Sequence, residues 1–339
     1  MSYKIISDTS LINMQQVNDF VYAHPDGHFF QSADAFQLFH TVKNYQPILI
    51  CCYDDHQITG SLLTVIQKEH SGVAGKFSSR SICWGGPLIK NNLPEIAELI
   101  LKEYETKVDG KAIYTQMRNM FDCSFMADTF EENEYEYVAH LNYHVITHDR
   151  NAAMKKMSES KSRQIKKSLK AGARVEEALT LADVEHFYHI LRMLYKVRAK
   201  KPLPDRSFFI RFFEQCCQAG KGKYLLIKIQ DKIIGGIMCA ITPGKAIYEW
   251  YIGGDDVDHK QYYPSVLATY AAIDYALQHN LGYFDFMGAG KPGKDYGVRE
   301  FKSKFGGELK NFGRFEKVHN KSLMAIGKAG IRFLKYIKP

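Results

Sequence analysis

The sequence has few of the features that mark secreted, membrane-spanning or zinc-binding proteins. Its 339 residues include 7 cysteines, with two adjacent pairs and no C-x-x-C spacing, so neither a disulfide framework nor structural zinc is expected. No H-E-x-x-H motif is present, and His140 and His144 lie in a strand-like segment whose geometry does not place them side by side. No signal peptide and no apolar run of membrane-spanning length is found. We therefore expect a cytoplasmic protein without a bound metal.

The composition is that of a globular protein with a basic balance. Hydrophobic residues make up 45% of the chain, which suffices for one large domain or two of ordinary size. Lysine and arginine outnumber aspartate and glutamate by 45 to 37, giving a formal net charge of +8. Such a charge favours an anionic partner, whether phosphate, nucleic acid or an anionic membrane surface, and does not choose among them.

Apolar periodicity predicts the same order of elements twice. The first half has helices that begin after Ser10 and Ser32, strands at 47–53, 58–66 and 81–84, a helix from Pro94 and a strand at 113–117. The second half has helices at 154–171, 181–198 and 207–219, strands at 224–229, 233–241 and 247–252, a helix from Pro264 and a strand at 283–287. This order predicts a duplicated α/β unit, with a first domain at 1–147 and a second at 148–319.

Residues 281–316 are the stretch in which we expect function to concentrate. An apolar strand carrying Asp285 leads into a loop rich in glycine and lysine, and a further strand is predicted at 309–315. Four cations in and just after this loop are candidate phosphate contacts: Lys291, Lys294, Arg299 and Lys304. The alternative is a solvated turn between two strands.

The loop comes close to a P-loop without being one. Residues 288–295 read G-x-x-x-x-G-K-D, whereas a P-loop ends in serine or threonine. Asp295 stands where a hydroxyl should reach magnesium, and Pro292 removes a backbone N–H that a phosphate cradle needs. Both departures argue against a nucleotide-hydrolysing P-loop.

The order of elements resembles tandem GNAT (N-acyltransferase) domains, and several segments resemble the FemABX family. The strongest similarity lies in residues 157–172, 282–285 and 301–307, and weaker similarity covers Gln31, Ser32 and Phe36. At residues 85–87 this chain has Gly-Gly-Pro where the family often has Arg-Gly-Pro. The resemblance implies two GNAT-like α/β (α+β) domains with mixed central sheets. It further implies transfer of an amino acid from aminoacyl-tRNA to an amine of a peptidoglycan precursor, with no cofactor.

The turn before the Pro264 helix favours aminoacyl-tRNA over acyl-CoA as the donor. A typical GNAT domain holds pyrophosphate on a glycine-rich turn at a helix N-terminus. Here the corresponding turn, residues 255–265, contains three aspartates and no glycine, which makes a poor anion cradle.

A basic stripe on the helix at 154–171 is the predicted donor-binding surface. Arg163, Lys166, Lys167 and Lys170 recur at helical spacing, opposite Met154, Ile165 and Leu169. Phosphates of RNA bind to such a stripe, through the backbone because no aromatic residues are interleaved for base stacking. The alternative is an ordinary solvated helix face.

Aminoacyl transfer requires an amine nucleophile and stabilisation of an oxyanion, and the sequence offers no Ser, Cys or Thr triad. Phe301 and Lys302 match the family's Phe-Lys, which makes Lys302 the candidate oxyanion cation. Asp285 is a candidate for orienting the amine, or for capping the glycine loop. Arg198 and Tyr251 are further cleft candidates. No general base is identified, which leaves substrate-assisted transfer open.

Two other functions fit the same sequence. One is an acyl-CoA-dependent N-acyltransferase acting on an amino sugar or envelope lipid, and the other is a non-catalytic GNAT-like module that binds RNA or phosphate. The spacing of apolar and basic residues at 320–339 predicts a basic amphipathic helix, which could lie on an anionic membrane. The family resemblance implies instead that it packs on the first domain.

Overall fold

A computed structural model describes residues 3–68, 75, 78–199 and 202–326, without the side chains of 198 and 199. The helices are α1 (Met14–Ala23), α2 (Ala33–Thr41), α3 (Pro94–Val108), α4 (Ala127–Glu132), α5 (Arg150–Lys156), α6 (Glu159–Lys170), α7 (Leu181–Leu194), α8 (Arg206–Phe212), α9 (Pro264–Gln278) and α10 (Gly297–Ser303). The strands are β1 (Tyr3–Ile6), β2 (Tyr45–Asp54), β3 (Gln57–Gln67), β4 (Arg80–Trp84), β5 (Leu88–Ile89), β6 (Tyr114–Arg118), β7 (Glu136–Val138), β8 (Asn142–Ile146), β9 (Ala173–Glu177), β10 (Gly222–Ile229), β11 (Lys232–Thr242), β12 (Ala246–Gly254), β13 (Tyr283–Asp285), β14 (Glu308–Lys310) and β15 (Arg314–Val318). The predicted mixed α/β class is confirmed.

The first sheet has the order β1-β2-β3-β4-β6-β15-β7 within the described residues, with β5 paired to β3. Its one parallel pair there is β4 with β6, which the helix α3 connects. Tyr104 of α3 is fully buried, and its hydroxyl lies 2.7 Å from both Ser81 Oγ of β4 and Thr115 Oγ1 of β6. The helix therefore covers one face of the sheet, as its apolar stripe predicts.

The second sheet has the order β14-β8-β13-β12-β11-β10-β9 within the same described ranges. Its parallel pair is β12 with β13, and α9 connects them, just as α3 connects β4 and β6. The two sheets share this strand–helix–strand unit with one parallel pair, so the predicted duplication is present.

The chain divides into two compact units whose boundary differs from the predicted one. One unit contains Met1–Ala139 and the segment from Phe312 onward, and the other contains His140–Asn311. The sequence predicted the boundary at 147/148. The difference arises because β8 pairs with β13 and β14, so residues 142–146 already belong to the second sheet. Most of the predicted C-terminal helix at 320–339 lies outside the described residues.

Three local predictions were wrong. Ser10 does not cap the first helix: Asn13 does, because its side chain accepts hydrogen bonds from the amides of residues 15 and 16. The helix predicted at 154–171 is two helices, since Ser158 has extended backbone and caps α6. The strand predicted at 309–315 is two strands in different sheets, and Gly313 between them has a φ of +69°, which favours glycine.

Candidate active site

Pairing between the two parallel strands of the second sheet ends before β12 does, and we call the place beyond the last pair the cleft. Strand β12 pairs with β13 only from Ala246 opposite Tyr283 to Tyr248 opposite Asp285, although β12 continues to Gly254. Past Tyr248, the backbone groups on this edge of β12 are not used by β13. Ligands of α/β sheets bind where parallel strands part at their carboxyl ends, so this opening is the candidate active site.

Lys302 reaches this cleft from α10, a short helix that the sequence did not predict. Its side chain is buried, and Nζ lies 2.8 Å from Glu249 Oε1. The same ammonium donates to the carbonyl of Phe286 at 2.6 Å and to that of Gly288 at 2.9 Å. Its three N–H groups therefore have acceptors, and Lys302 ties β12 to the start of the glycine-rich loop.

Glu249 is the partner that sequence reasoning missed. It is the first residue of β12 beyond the pairing with β13, and it is 6% exposed. Its Oε1 faces Lys302, whereas Oε2 has no hydrogen-bond partner in the described structure. Burial raises the pKa of this carboxyl, and Lys302 only partly opposes the shift. A buried carboxylate with a raised pKa and a vacant oxygen is suited to accept a proton.

Asp285 organises the start of the loop. Its Oδ1 accepts from Asn142 Nδ2 at 2.7 Å and from the Met287 amide at 2.6 Å, and its Oδ2 lies 3.0 Å from Nε2 of His144, the residue directly opposite on β8. Burial acts to raise the pKa of Asp285, but the His144 imidazole and these hydrogen bonds outweigh it and lower that pKa below its ordinary value. These contacts match the predicted loop-capping alternative.

Arg299 holds the rest of the loop. Its guanidinium donates to the carbonyls of Ala289 at 2.9 Å and Lys294 at 3.0 Å, and also to the carbonyl of Lys291. These bonds use the N–H groups of Arg299 that the sequence analysis assigned to binding a phosphate. The side chains of Lys291 and Lys294 are exposed, and Lys304 pairs with Glu300 at 2.7 Å.

The remaining candidates lie around the cleft and on α6. Tyr251 packs in an aromatic group, with ring centroids 5.1 Å from Phe209 and 6.3 Å from Tyr195. Burial, with a smaller effect of Glu249, raises the pKa of Tyr195 to about 12. The side chain of Arg198 lies outside the described residues. Phe301 is half-buried beneath the ammonium of Lys161.

The predicted basic stripe lies on the exposed face of α6. Its four members are exposed, and no carboxylate of the described residues forms an ion pair with any of them: Arg163, Lys166, Lys167 and Lys170. Ile165 is buried on the opposite face, as predicted. Leu169, which was also predicted to lie opposite the stripe, is 44% exposed.

The N-terminus of α9 is capped by a side chain of this chain. Asp256, in the glycine-free turn, accepts a hydrogen bond from the Ser265 amide at 3.3 Å and another from the Ser265 hydroxyl. Nearby, Asp255 Oδ2 lies 2.8 Å from His259 Nδ1. A carboxylate thus occupies the helix end at which GNAT domains typically hold pyrophosphate.

We expect the substitution Asp256→Ala to lower the free energy of unfolding by about 0.5–2 kcal/mol, because the first turn of α9 loses its cap. Urea unfolding of the full chain, followed by far-UV circular dichroism, measures this loss. Asp258→Ala is the matched control, since Asp258 lies exposed in the same turn. Equal stability of the two variants would contradict a capping role for Asp256.

Among the residues that the structure describes, no group of three or more His, Cys, Asp or Glu side chains is arranged to hold a metal ion. Likewise, none of the helices described is both long and apolar enough to span a bilayer.

Comparison with known proteins agrees with this architecture. Residues 155–303 match the family model of the acetyltransferase (GNAT) domain. No curated protein matches the sequence.

Three solved structures are similar. FemX has a TM-score of 0.73 and 13% identity, over 96% of this chain and 99% of FemX. The C-terminal domain of a putative lysylphosphatidylglycerol synthetase from Agrobacterium fabrum has a TM-score of 0.60 and 9% identity, over 94% of this chain and 96% of that one. A tandem GNAT protein from the clavulanic acid biosynthesis pathway has a TM-score of 0.58 and 8% identity, over 94% of this chain and 99% of that one.

The match lies where the candidate site lies. Residues 155–303 include β12, β13, α9 and α10, and therefore Glu249, Asp285 and Lys302. The prediction of an acyltransferase is confirmed at the level of this domain family. The chain has a tandem GNAT fold similar to that of FemX, and residues 155–303 of its second unit match the acetyltransferase (GNAT) domain.

Proposed function

We propose that the protein is an aminoacyltransferase that moves an amino acid from aminoacyl-tRNA to an amine of a peptidoglycan or other cell-envelope precursor. The FemX-like fold and the match to the GNAT domain support acyl transfer as the class of reaction. The name of a second similar structure, a putative lysylphosphatidylglycerol synthetase, denotes the joining of an amino acid to a lipid. The donor and acceptor are our inference from the residues.

The observation that carries the choice of donor is the capped N-terminus of α9. For acyl-CoA to bind in the typical GNAT manner, its pyrophosphate would have to meet the helix end where Asp256 already accepts from Ser265. Placing a second anion beside that carboxylate is unfavourable, because like charges repel strongly at a partly buried site. A donor whose phosphates bind elsewhere avoids this repulsion.

The cleft supplies the groups that the reaction needs. In our proposal, the uncharged acceptor amine attacks the ester carbonyl carbon, a C–N bond forms, and the carbonyl electron pair moves to oxygen. Glu249 Oε2, which lacks a partner, takes the proton that the amine releases. As the intermediate collapses, the C–O bond to the ribose breaks and Glu249 returns that proton to the ribose oxygen.

Lys302 has an electrostatic role in this scheme. Its three N–H groups are held by Glu249 and two loop carbonyls before any substrate enters. We therefore assign it a fixed positive charge beside the developing oxyanion, together with the task of holding Glu249 in place. Charges fixed in advance stabilise a transition state without reorganisation. Asp285 positions the loop.

Transfer of label tests the proposal directly. The protein is incubated with a pool of charged tRNAs and a cell-envelope precursor extract, with and without ribonuclease, beside a parallel reaction with labelled acetyl-CoA. We expect label to reach the precursor from tRNA and ribonuclease to abolish this transfer. Label that arrives only from acetyl-CoA would overturn the choice of donor.

Acyl-CoA-dependent transfer is the second candidate, and the match of residues 155–303 to the acetyltransferase (GNAT) domain favours it. It keeps the fold and the Glu249–Lys302 pair and changes the donor. A non-catalytic module is disfavoured because a buried ion pair with a vacant carboxylate oxygen costs stability that a binding module does not need.

The exposed stripe on α6 predicts a salt-dependent interaction with tRNA. For the double substitution Lys166→Glu with Lys167→Glu, we expect tRNA affinity to fall about tenfold or more at low salt, and the slope of log K against log salt concentration to decrease by about two. Filter binding at several salt concentrations measures both. Lys102→Glu with Lys107→Glu makes the same change in net charge as a control, at two lysines of α3 whose side chains are 67% and 40% exposed. Equal affinities of the two double variants would remove α6 from the binding surface.

A further inference from the structure

Lys161 is a buried lysine that the site described above does not use. It lies in the first turn of α6 and is 6% exposed. Its Nζ lies 4.1 Å from the ring centroid of Phe301 and 5.4 Å from that of Phe305. Within the described residues, its hydrogen-bond acceptor is Gln164 Oε1, at 3.3 Å. Because an ammonium has three donors, two remain for a ligand, in contrast to the saturated Lys302.

Several influences disfavour a positive charge at this position. Burial removes water from the ammonium, and Lys304 repels it; together they lower the pKa of Lys161 to about 8, against the weaker opposing effect of Asp256. A cation in the first turn also faces the positive end of the helix dipole. Asp256 has the weakest influence of the three on Lys161, and its carboxylate is bonded to Ser265 at the end of α9 rather than to this ammonium. A protein that places a lysine here without a carboxylate partner leaves room for an external anion.

The backbone holds the second lysine close to the first. The Ser158 amide, at the cap of α6, donates to the carbonyl of Lys304 at 2.9 Å. Gly306 has a φ of +79°, and a Cβ at this position would lie 2.6 Å from the backbone of Lys156. Only glycine permits this approach between the segment after α10 and the end of α5. The Phe-Gly-Gly of residues 305–307 thus serves to place Lys304 beside α6.

We propose that Lys161 and Lys304 form a phosphate-binding site, and that its ligand is a phosphodiester at the acceptor end of the donor RNA. The site rests on the buried ammonium of Lys161, which has donors to spare, and on the backbone contact that places Lys304 beside α6; Lys304 uses one of its three donors on Glu300. The identity of the ligand rests on the proposed function. Lysine binds phosphate as a point charge, and charge-assisted hydrogen bonds are about twice as strong as neutral ones. Lys161 shares the buried face of α6 with Ile165 and Ser168, so this site is separate from the exposed stripe on the opposite face of the helix.

Binding of a short RNA tests the site without requiring turnover. The probe is a fluorescently labelled single-stranded RNA of four nucleotides ending in CCA, and fluorescence anisotropy at pH 7 gives its Kd with the full chain. We expect Lys161→Met to weaken binding about tenfold or more, because one charge-assisted contact is lost. Lys161→Arg should retain binding, and Lys232→Met, at the exposed first residue of β11, should leave it unchanged. Wild-type affinity in Lys161→Met, or no binding of the probe by the wild type, overturns the site.

Two controls separate folding and titration from binding. Thermal unfolding of Lys161→Met should show no loss of stability, since methionine keeps the contact with Phe301 and removes a desolvated charge. In the wild type, probe affinity should fall as pH rises from about 8, where Lys161 loses its proton. Lys304 and Asp256 are the charged groups that act on it. Lys304→Arg should therefore keep this pH dependence, whereas Lys161→Arg should lose it; the opposite result assigns the titration to Lys304 and overturns the role of Lys161.

Competition distinguishes the possible sources of the phosphate. Coenzyme A and inorganic pyrophosphate are added to the labelled RNA. Stronger competition by coenzyme A than by unlabelled RNA overturns the RNA assignment. Loss of probe binding in Lys161→Met supports the site even if the wild type transfers no amino acid from any charged tRNA, in which case the proposed function fails alone.

Discussion

Replacing Glu249 with glutamine is expected to lower kcat by about 10²–10⁴-fold, the usual contribution of a positioned general base. The glutamine amide has the same shape as the glutamate carboxylate. Its oxygen can still accept a hydrogen bond from Lys302 Nζ, which lies 2.8 Å from Glu249 Oε1 in the wild type. The structure around the cleft should therefore persist, and the affinity for the donor should change little. Steady-state transfer and donor binding, measured on the same preparation, separate the two quantities.

The pH dependence of this variant adds an independent check. Because burial raises the pKa of Glu249, the wild-type rate should increase as pH rises through that pKa, and Glu249→Gln should lose this limb. The effect on stability has the opposite sign. A carboxyl with a raised pKa binds more protons when folded, so its contribution is largest below the ordinary pKa and declines as pH rises through the folded one.

Glu177→Gln is the matched control, since Glu177 is an exposed carboxylate of β9. Wild-type turnover in Glu249→Gln would mean that the amine loses its proton to the substrate itself, and the base would have to be withdrawn from the scheme.

The second large effect is expected from Lys302→Met. This change leaves Glu249 buried without its cation and should destabilise the second unit by about 3–5 kcal/mol. Adding Glu249→Gln to Lys302→Met should recover most of the lost stability, because the unpaired charge is then removed. Transfer activity should be lost in both variants. Urea unfolding and label transfer on the four members of this cycle measure the coupling.

If Lys302→Met with Glu249→Gln were as unstable as Lys302→Met alone, the unpaired charge of Glu249 would not be the cause of the instability. The cause would then lie in the two loop carbonyls, of Phe286 and Gly288, that also lose their donor.

The sequence predicted those parts of the fold that depend on local pattern. The strands at 47–53 and 58–66 and the helix from Pro94 were found within a few residues, because each has a clear period and a capping or breaking residue. The helix α10 was not predicted, because its seven residues begin at a glycine and include charged side chains, which do not form a clear apolar period. Nothing local to residues 309–315 reveals that Gly313 separates strands of two sheets.

For the site, the sequence located one partner of each contact. Lys302 and Asp285 were named, but Glu249 and His144 were not assigned as their partners, since pairing across strands is set by the tertiary fold. A signal for Glu249 did exist: it is the one charged residue within the strand Ala246–Gly254. Arg299 was assigned to phosphate, and the structure shows that its donors are used by carbonyls of the loop. Lys304 was assigned to phosphate as well, and it uses one of its three donors on Glu300. The assignments of catalytic and binding roles stay predictions.

The position of β15 determines the order in which the sheets are completed on the ribosome. β15 pairs with both β6 and β7, so the first sheet is continuous only after residues 314–318 have emerged. Every strand of the second sheet, from β8 to β14, emerges earlier. The later-encoded unit can therefore finish first, while β6 keeps an open edge for on the order of ten seconds of translation. An unpaired strand edge is a template for pairing with other chains, so during this interval the first sheet is exposed to wrong pairing at β6.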